Sequence, residues 1–174
     1  MRRRRIFKPA KTPRRMGGAF ALLATAATLA VLTAALRPSD LFGSAPRTQD
    51  WRALPAEVAV VDGETLRLGD RVLRLYGVNT PPRGTPCGRV SDCGAAATAE
   101  LARLTRDRAL ECRIHGRDNF GRGLGVCRAE GVELNASLVA AGWGSADTSA
   151  VPALGQLEAS ARQAHRGMWA EPPR

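Results

Sequence analysis

Carboxylate, amide and guanidinium side chains occur together in three short stretches of this sequence, and these are the residues that could do chemistry. The stretches are "VDGETL" at 61–66, "RLYGVNTPP" at 74–82 and "GRDNFGRGL" at 116–124. Carboxylate and amide oxygens can hold a divalent cation, a carboxylate can activate water, and a guanidinium group can bind an anion. Each stretch alone is weak evidence, because Asp-Gly turns are common and an arginine in a strand usually lies at a solvated edge.

The elements that must position these residues begin with three strands. The run "EVAVVDGETLRL" at 57–68 predicts two strands joined by a tight turn, and "DRVLRLYGV" at 70–78 predicts a third strand after another hairpin turn. In the third strand Leu73 and Leu75 share one face, and Arg74 lies on the opposite face. The first two stretches with chemistry are therefore expected at strand ends and turns.

The rest of the chain predicts two more strands and three helices. In order, we expect a Pro-rich loop in "NTPPRGTPCGRVSDCG", a helix in "AAATAELARLT", strands in "ALECRIH" and "GLGVCRA", a helix in "ELNASLVAAG", and a last helix in "ALGQLEASARQAHRGMW" that Gly167 stops. The resulting order is β-β-β-α-β-β-α-α. Short strands linked by hairpins favour a small, largely antiparallel β-barrel with helices packed outside it, an α+β fold.

Four spaced fragments, the three above and "EASARQAHRGMW" at 158–169, resemble the thermonuclease, or staphylococcal-nuclease-like, family. The family's motifs read D-G-D-T, R-L-x-G-I-D-x-P-E, D-x-Y-G-R and G-x-W, and the resemblance covers about residues 55–170. It implies a five-stranded OB-fold with three helices. It also implies calcium-dependent hydrolysis of DNA or RNA phosphodiesters.

The resemblance assigns roles to five positions that keep suitable groups. Arg74 and Arg122 fall on the two arginines that grip the phosphate and offset the charge that grows in the transition state. Asp62 matches the first acid of D-G-D-T, and Glu64 falls on the aspartate that binds Ca²⁺. Thr80 falls on the residue that lends calcium a backbone oxygen. The implied metal set is therefore Glu64, Asn79 and Thr80, with Asp62 nearby.

Four positions depart from the family pattern. Asn79 replaces the second metal aspartate, so its amide oxygen can coordinate but the charge is lost; Glu64 keeps the charge on a side chain one methylene longer. Pro82 falls on the general-base glutamate and has no side-chain oxygen, and Phe120 replaces a tyrosine that contacts phosphate. Losing a general base costs about 10²–10⁴-fold in rate. We therefore expect poor calcium binding and weak or no hydrolysis.

Three alternatives stay open at this point. A nearby acid, Asp118 or Asp92, supplies the missing carboxylate and the domain is an active nuclease. The domain is a non-catalytic module that binds nucleic acid or another phosphate-bearing ligand. The domain has a structural or protein-interaction role, and its arginines only pair with residues such as Glu64 and Asp62.

The high net charge belongs mostly to the N-terminal tail. Of the 26 basic residues, eight lie in residues 1–16 with no acid among them, so 18 basic residues face 16 acidic ones in the remainder. The formal charge of the chain is +10 and that of the remainder is only +2. The charge is therefore weak evidence that the folded domain binds nucleic acid.

An uncharged run at 17–36 follows the tail. Its 20 residues can cross a hydrocarbon core about 30 Å thick as a helix. The run is longer than the usual signal core of roughly 7–15 residues, which favours one N-terminal transmembrane helix over a cleaved signal peptide. The positive-inside rule then places the tail in the cytosol and the rest in the periplasm or outside, in a single-pass inner-membrane protein. Secretion after cleavage is the alternative. Residues 37–52 are interpreted as a linker, and 53–170 as the domain.

The four cysteines are expected to form two disulfide bonds. Their number is even, their spacing matches no zinc pattern, and disulfides persist in exported proteins. If the strands at 109–115 and 122–128 pair as a hairpin, Cys112 and Cys127 lie about equally far from its loop and face each other. Cys87 and Cys93 then staple the Pro-rich loop.

Asn135 lies in "NAS", which matches a glycosylation sequon. Because it opens a predicted helix, we interpret it as a helix cap.

Overall fold

The computed structural model of the chain describes residues 49–170, which form nine strands and three α-helices. The strands are β1 (Gln49–Ala53), β2 (Val58–Val60), β3 (Thr65–Leu68), β4 (Arg71–Leu75), β5 (Val78–Asn79), β6 (Leu110–Arg117), β7 (Gly123–Ala129), β8 (Val132–Glu133) and β9 (Ser145–Ala146). The helices are α1 (Cys93–Thr105), α2 (Leu134–Ala140) and α3 (Leu154–Gln163), and single 3₁₀ turns lie at Pro55–Glu57 and Gly167–Trp169.

Seven strands form one sheet in the order β1-β6-β7-β4-β3-β2, with β8 paired to β7. All neighbours are antiparallel except β4 and β7, which are parallel. The short strands β5 and β9 form a separate antiparallel pair. The parallel pair places β4 beside the first residues of β7, although helix α1 and strand β6 lie between them in the sequence.

The sheet is curled because its two edges are joined by a short piece of chain. Six strands about 4.8 Å apart would hold the edge strands of a flat sheet about 24 Å apart. The five residue steps from Ala53 in β1 to Val58 in β2 reach at most about 18 Å, and the intervening 3₁₀ turn shortens that reach. A flat sheet is therefore impossible, and the sheet forms a half-barrel with the apolar faces inside.

The core fills the concave side of this half-barrel. The alternate strand residues that point inward are fully buried leucines and a cysteine pair, and α1 and α2 add their apolar faces from outside. The buried side chains with the largest volume include Leu66, Leu73, Leu75, Leu101, Leu110, Leu134 and Leu138. The opposite face of β4, which carries Arg74, is thus left for the surface.

The predicted strands and helices are present, and the predicted barrel with three helices is confirmed as a curled half-barrel sheet with three helices. Four strands are additional. β1 includes residues 49–52, which were interpreted as the end of the linker, and β5, β8 and β9 have two residues each. β1 was missed because only Trp51 and Ala53 carry its inward pattern among polar neighbours.

Two predicted helix limits were wrong. The last helix ends at Gln163 rather than at Gly167, because His165 adopts a positive φ of 52° and Gly167 one of 58°. The backbone N–H of Met168 then donates to the carbonyl oxygen of Gly142 at 2.9 Å. Helix α1 begins at Cys93, inside the predicted loop, because the Asp92 side chain accepts from the Ala95 N–H and caps it.

The predicted basic tail at 1–16, the transmembrane segment at 17–36 and most of the linker lie outside the described residues. Within residues 49–170, no helix has both the length and the hydropathy that crossing a bilayer requires.

Candidate phosphate-binding site

Arg74 and Arg122 lie on one face of two neighbouring strands. In the parallel pairing of β4 with β7, Leu73 is opposite Gly123 and Arg74 is opposite Leu124. Because side chains alternate along a strand, Arg74 lies on the face opposite buried Leu73. Arg122 directly precedes Gly123 and shares the face of Leu124. The two predicted arginines are therefore two residue positions apart on the outer face of the sheet.

The guanidinium group of Arg74 is held by two of the predicted metal ligands. Its Nε donates to Glu64 Oε1 at 2.8 Å, and its Nη2 donates to Asn79 Oδ1, also at 2.8 Å. The Arg74 and Glu64 side chains are 28% and 18% exposed, so the ion pair is mostly shielded from water. Glu64 and Asn79 thus lie beside the first arginine, as the motif predicts, and they bind it.

The turn between β2 and β3 positions Glu64. The Asp62 side chain accepts from the Glu64 N–H at 2.9 Å, and the second Glu64 oxygen accepts from the Thr80 N–H at 2.7 Å. Gly63 permits this approach, because a Cβ there would lie 2.9 Å from Thr80 Oγ1 and 2.7 Å from Ala97 Cβ. The structure therefore brings Asp62, Glu64 and Thr80 together.

Arg122 is held by the turn between β6 and β7. Its Nε donates to Asp118 Oδ2 at 2.6 Å, and the backbone N–H groups of Arg122 and Phe120 both donate to Asp118 Oδ1 at 2.9 Å. Partial burial raises the pKa of Asp118, but the hydrogen bonds from Arg122 and Phe120 outweigh it, and the net pKa lies below the usual value of 3.8. Asp118 is therefore an anchor for Arg122 rather than a proton acceptor.

Pro82 lies on an open depression next to this network, together with Asp62, Glu64 and Thr80. The same depression is lined by Arg83, whose Nη2 donates to the carbonyl oxygen of Val61 at 3.1 Å. Pro82, the position predicted to have lost the general base, is thus followed directly by a positively charged residue. Sequence reasoning missed Arg83, although its place directly after the motif "RLYGVNTPP" was a signal.

Asp147 is a second residue that sequence reasoning missed. β9 pairs with β5, and the Asp147 N–H donates to the carbonyl oxygen of Gly77 at 2.9 Å. The pKa of Asp147 is lowered, chiefly by hydrogen bonds from the Ser149 hydroxyl and the Ala150 N–H and to a smaller extent by the positive charge of Arg74. A carboxylate therefore lies within electrostatic range of the first arginine, directly after a strand too short to be recognised in the sequence.

The two acids considered as substitutes for the lost glutamate are engaged elsewhere. Asp118 binds Arg122, and Asp92 caps α1, where the Ala95 N–H is the main cause of its lowered pKa.

The side-chain oxygens at the predicted calcium positions already take part in hydrogen bonds within the chain. Glu64 Oε1, Glu64 Oε2 and Asn79 Oδ1 each accept a hydrogen bond from within the chain, and two of these three bonds come from the cation Arg74. In residues 49–170, no group of three or more His, Cys, Asp or Glu side chains is placed to hold a metal ion. A calcium ion bound there would share these oxygens with the guanidinium group of Arg74, and the two positive charges would repel each other.

Both predicted disulfide bonds are present. Cys112 and Cys127 are directly opposite in the β6–β7 ladder with Cα atoms 4.0 Å apart, and Cys87 is bonded to Cys93 across the loop before α1. The second bond holds the loop that carries Pro82 and Arg83 to the start of that helix.

Asn135 is not the predicted cap. It is 1% exposed, and Glu133 is the N-cap of α2. The Asn135 amide instead bridges buried backbone groups of three residues behind the site.

Comparisons with known proteins match the part of the chain that carries these motifs. A family model described as staphylococcal nuclease homologue matches residues 72–171. A protein of Escherichia coli O157:H7 named uncharacterized endonuclease is 30% identical over 133 residues, which cover 70% of this chain and 83% of that protein. Succinoglycan biosynthesis protein ExoI of Rhizobium meliloti (strain 1021) is 28% identical over 151 residues, 83% of this chain and 75% of that protein. The residues that the family model matches include Arg74, Arg122 and the segment 79–82.

Proposed function

Because this chain belongs to the staphylococcal nuclease homologue family, we propose that its nuclease-like domain binds nucleic acid phosphates at Arg74 and Arg122 and hydrolyses them weakly or not at all. The observation that carries the proposal is the hydrogen-bond network in which Glu64 and Asn79 hold the guanidinium group of Arg74. The network holds in place the cation that would bind phosphate, and a calcium ion would have to share its oxygens with that cation.

Phosphate binding is supported by the geometry of the two arginines. They lie on one sheet face, and their side chains are 28% and 30% exposed, so each keeps part of its donor surface open to solvent. Each also keeps one fixed carboxylate partner, which sets the direction of the planar group before a ligand arrives. A preorganised pair of guanidinium groups is suited to a phosphodiester.

Weak hydrolysis is supported by what surrounds Arg74. Pro82 has no oxygen to activate water, and loss of a general base costs about 10²–10⁴-fold in rate. Asn79 lacks the negative charge that an aspartate ligand would add, and the affinity of a site for calcium falls as the number of negatively charged ligands decreases. Arg83 adds a positive charge to the depression where the cation would bind. The three effects act in the same direction.

Restoring the acids tests this proposal. We expect the double variant Asn79→Asp with Pro82→Glu to gain calcium-dependent cleavage of single-stranded DNA over the unmodified chain, and to bind calcium more tightly by titration calorimetry. Arg122→Ala in that background should abolish the gain. Arg128→Ala is the matched control, because it removes an arginine of β7 that pairs with Glu133 away from the site.

Two results would contradict the proposal. Strong calcium-dependent cleavage by the unmodified chain would show that another group replaces the lost base. Binding of oligothymidylate unaffected by Arg74→Ala and Arg122→Ala would show that these arginines do not hold phosphate.

A structural role is the second candidate, and one observation favours it. Both arginines already have a carboxylate partner, at 2.8 Å for Arg74 and 2.6 Å for Arg122, so neither requires a ligand. This candidate predicts that Arg74→Ala lowers thermal stability and changes no binding to any phosphate ligand.

We also propose that the domain is exported and held at the inner membrane by residues 17–36. The two disulfide bonds support an oxidising compartment. Mass spectrometry of the mature N-terminus distinguishes the two export routes: an intact Arg-rich tail is expected for the anchor, and a new N-terminus after residue 36 for secretion.

A further inference from the structure

A second depression lies beside Arg122, at the end of the half-barrel away from Glu64. It is lined chiefly by Trp51, Arg71, Val72, Arg117, Phe120 and Arg122. Three elements form it: strand β1, the start of β4 after the β3–β4 turn, and the β6–β7 turn. Arg71 precedes Arg74 by three residues, about 10 Å along β4, and side-chain alternation places it on the opposite face of the sheet. Arg122, which also lines the depression, therefore connects the depression to the Arg74 network.

Two of its arginines are supported by one buried indole ring. The guanidinium carbon of Arg71 lies 5.3 Å from the centroid of the Trp51 ring, and that of Arg117 lies 5.6 Å from it. The indole is only 4% exposed, because Gly123 leaves room for it: a Cβ there would lie 2.7 Å from Trp51 Cη2. The ring therefore holds two cations at the surface without neutralising them.

Phe120 is presented to solvent at the tip of the β6–β7 turn. Its residue exposure is 85%, the highest among the large apolar residues in the described part of the chain. The turn that carries it is fixed by Asp118, which accepts from the Phe120 N–H, and by the Gly121 N–H, which donates to the Asp118 carbonyl oxygen at 3.0 Å. The Arg122 guanidinium lies 5.4 Å from the Phe120 ring centroid. An exposed, fixed aromatic ring beside cations can stack on a base.

The charges in this depression favour an anionic partner. Arg71, Arg117 and Arg122 face Asp70, which is 94% exposed at 3.8 Å from Arg71, and Asp118, which is already paired with Arg122. The balance is positive, and Arg117 donates to the neutral carbonyl oxygen of Gly121. Cations alone fit any polyanion, but the exposed ring selects one that offers unstacked aromatic faces.

We infer that this depression, the Trp51–Phe120 groove, is a second subsite for single-stranded nucleic acid that extends the phosphate site of Arg74 and Arg122. Arg71 and Arg117 bind backbone phosphates, and Phe120 stacks on a base. A duplex keeps its bases stacked and hidden, so the groove takes single strands. The inference rests on the proposed function, because Arg122 belongs both to the proposed phosphate site and to the lining of this groove.

Fluorescence anisotropy of the full chain with a labelled oligothymidylate of about 12 nucleotides tests the groove. We expect Arg71→Ala with Arg117→Ala to weaken binding and to reduce the salt slope by about 1.4, at about 0.7 for each phosphate contact of a single strand. Phe120→Ala should weaken binding at least about fivefold with an unchanged salt slope.

The matched control is Arg113→Ala with Arg128→Ala. It removes the same charge from strands β6 and β7 on another surface, where these arginines pair with Asp50 and Glu133. The basic residues of the N-terminal tail are identical in every variant, so only differences between variants are compared. Circular dichroism melting checks that each variant is folded.

The outcomes separate the groove from the proposed function. If the oligonucleotide binds the groove variants as it binds the control, whereas Arg74→Ala weakens it, the groove is refuted and the proposed function stands. If the groove variants weaken binding and Arg74→Ala does not, the proposed phosphate site at Arg74 is refuted and the groove stands. Absence of binding by the unmodified chain refutes both, and equal affinity for a duplex through the same residues refutes the assignment to single strands.

Discussion

Arg74 illustrates at the residue scale how substitutions change the chemistry of a site while its geometry stays. The carboxylate of Glu64 reaches the guanidinium group with one oxygen and the Thr80 N–H with the other. Asn79 offers its amide oxygen to the same guanidinium group. Polar groups that would surround a metal ion are thus satisfied by a cation of the chain itself.

Replacing Glu64 with glutamine should destabilise the domain by about 1–3 kcal/mol, because the charged hydrogen bond to Arg74 is lost and the amide cannot accept from Thr80 in the same way. Urea denaturation of both proteins measures the difference. Glu111→Gln is the control: Glu111 pairs with Arg52 at 3.3 Å, but both side chains are at least 68% exposed, and such a pair contributes about 0–1 kcal/mol. Equal losses in the two variants would mean that the Arg74 pair has no special strength.

Asp118 gives the domain an acid-dependent component of stability. Its pKa in the folded protein lies below the usual 3.8, although burial opposes the shift, because Arg122 and two backbone N–H groups bind its charged form. Its contribution is therefore present above about pH 3.8 and is lost as the pH falls through the lower folded pKa. We expect stability to fall less steeply on acidification for Asp118→Asn than for the unmodified chain.

Asp70→Asn is the control for this pH series, because Asp70 is 94% exposed and contacts Arg71 only at 3.8 Å. Chemical denaturation at several pH values between about 5 and 2 gives the slopes. Parallel curves for Asp118→Asn and the unmodified chain would refute the role of Asp118.

The resemblance to the thermonuclease family implied that Glu64 and Asn79 lie close to Arg74, and both contact it. The motifs did not predict Arg83 or Asp147. The orientation of Arg83 depends on a loop held by the Cys87–Cys93 bond, and the place of Asp147 depends on the pairing of β9 with β5. These contacts arise from packing between distant segments, which periodicity along the chain does not encode.

At the element scale, the parallel pairing of β4 with β7 is the feature that assembles the site. It places the Arg122 turn beside Arg74, although 48 positions separate the two arginines in the sequence. Hairpin turns could be read from the Asp-Gly and Gly-Asp pairs, so the pairing of β2 with β3 and of β3 with β4 was predictable. The parallel pair has no local signal, and the two-residue strands β5, β8 and β9 are too short to show alternation.

Asn135 holds this parallel junction from inside the fold. Its Oδ1 accepts from the Cys127 N–H at 3.1 Å, and its Nδ2 donates to the carbonyl oxygens of Tyr76 and Gly125 at 2.8 and 3.2 Å. The amide thus joins the end of β4 to β7. A position at the start of a helix suggested a cap, but the side chain turns away from the helix into the sheet.

Replacing Asn135 with leucine should lower the free energy of unfolding by at least about 2 kcal/mol, because the Cys127 N–H and the Tyr76 carbonyl oxygen lose their hydrogen bonds to the amide. Thermal and urea denaturation measure the loss. Asn119→Leu serves as the control, since Asn119 is exposed in the β6–β7 turn and surface substitutions stay within about 0.5 kcal/mol. A cost for Asn135→Leu no larger than that of the control would exclude the bridging role.

At the scale of the whole molecule, the closure of the half-barrel and the distribution of charge along the sequence both affect where an anion can bind. The half-barrel is closed by the four residues between β1 and β2, whose turn is fixed by the Leu54 N–H donating to Glu57 Oε2 at 2.8 Å. Closure places the Trp51–Phe120 groove and the Arg74 network at the two ends of β4. Outside the tail the chain carries a formal charge of only +2, so local arginine clusters rather than net charge must attract a phosphate ligand.

The eight basic residues of the tail are therefore expected to dominate the salt dependence of nucleic-acid binding by the purified full chain. Each phosphate neutralised on a single strand contributes about 0.7 to the slope of log affinity against log salt, so the tail can contribute up to about 5 or 6. A variant with all eight replaced by glutamine should bind oligothymidylate with a much smaller slope. The factor by which Arg74→Ala weakens binding should stay the same in both backgrounds, because the effects of independent sites add. A titration series at several salt concentrations gives both quantities. If the Arg74→Ala effect disappears when the tail is neutral, the domain has no phosphate site of its own.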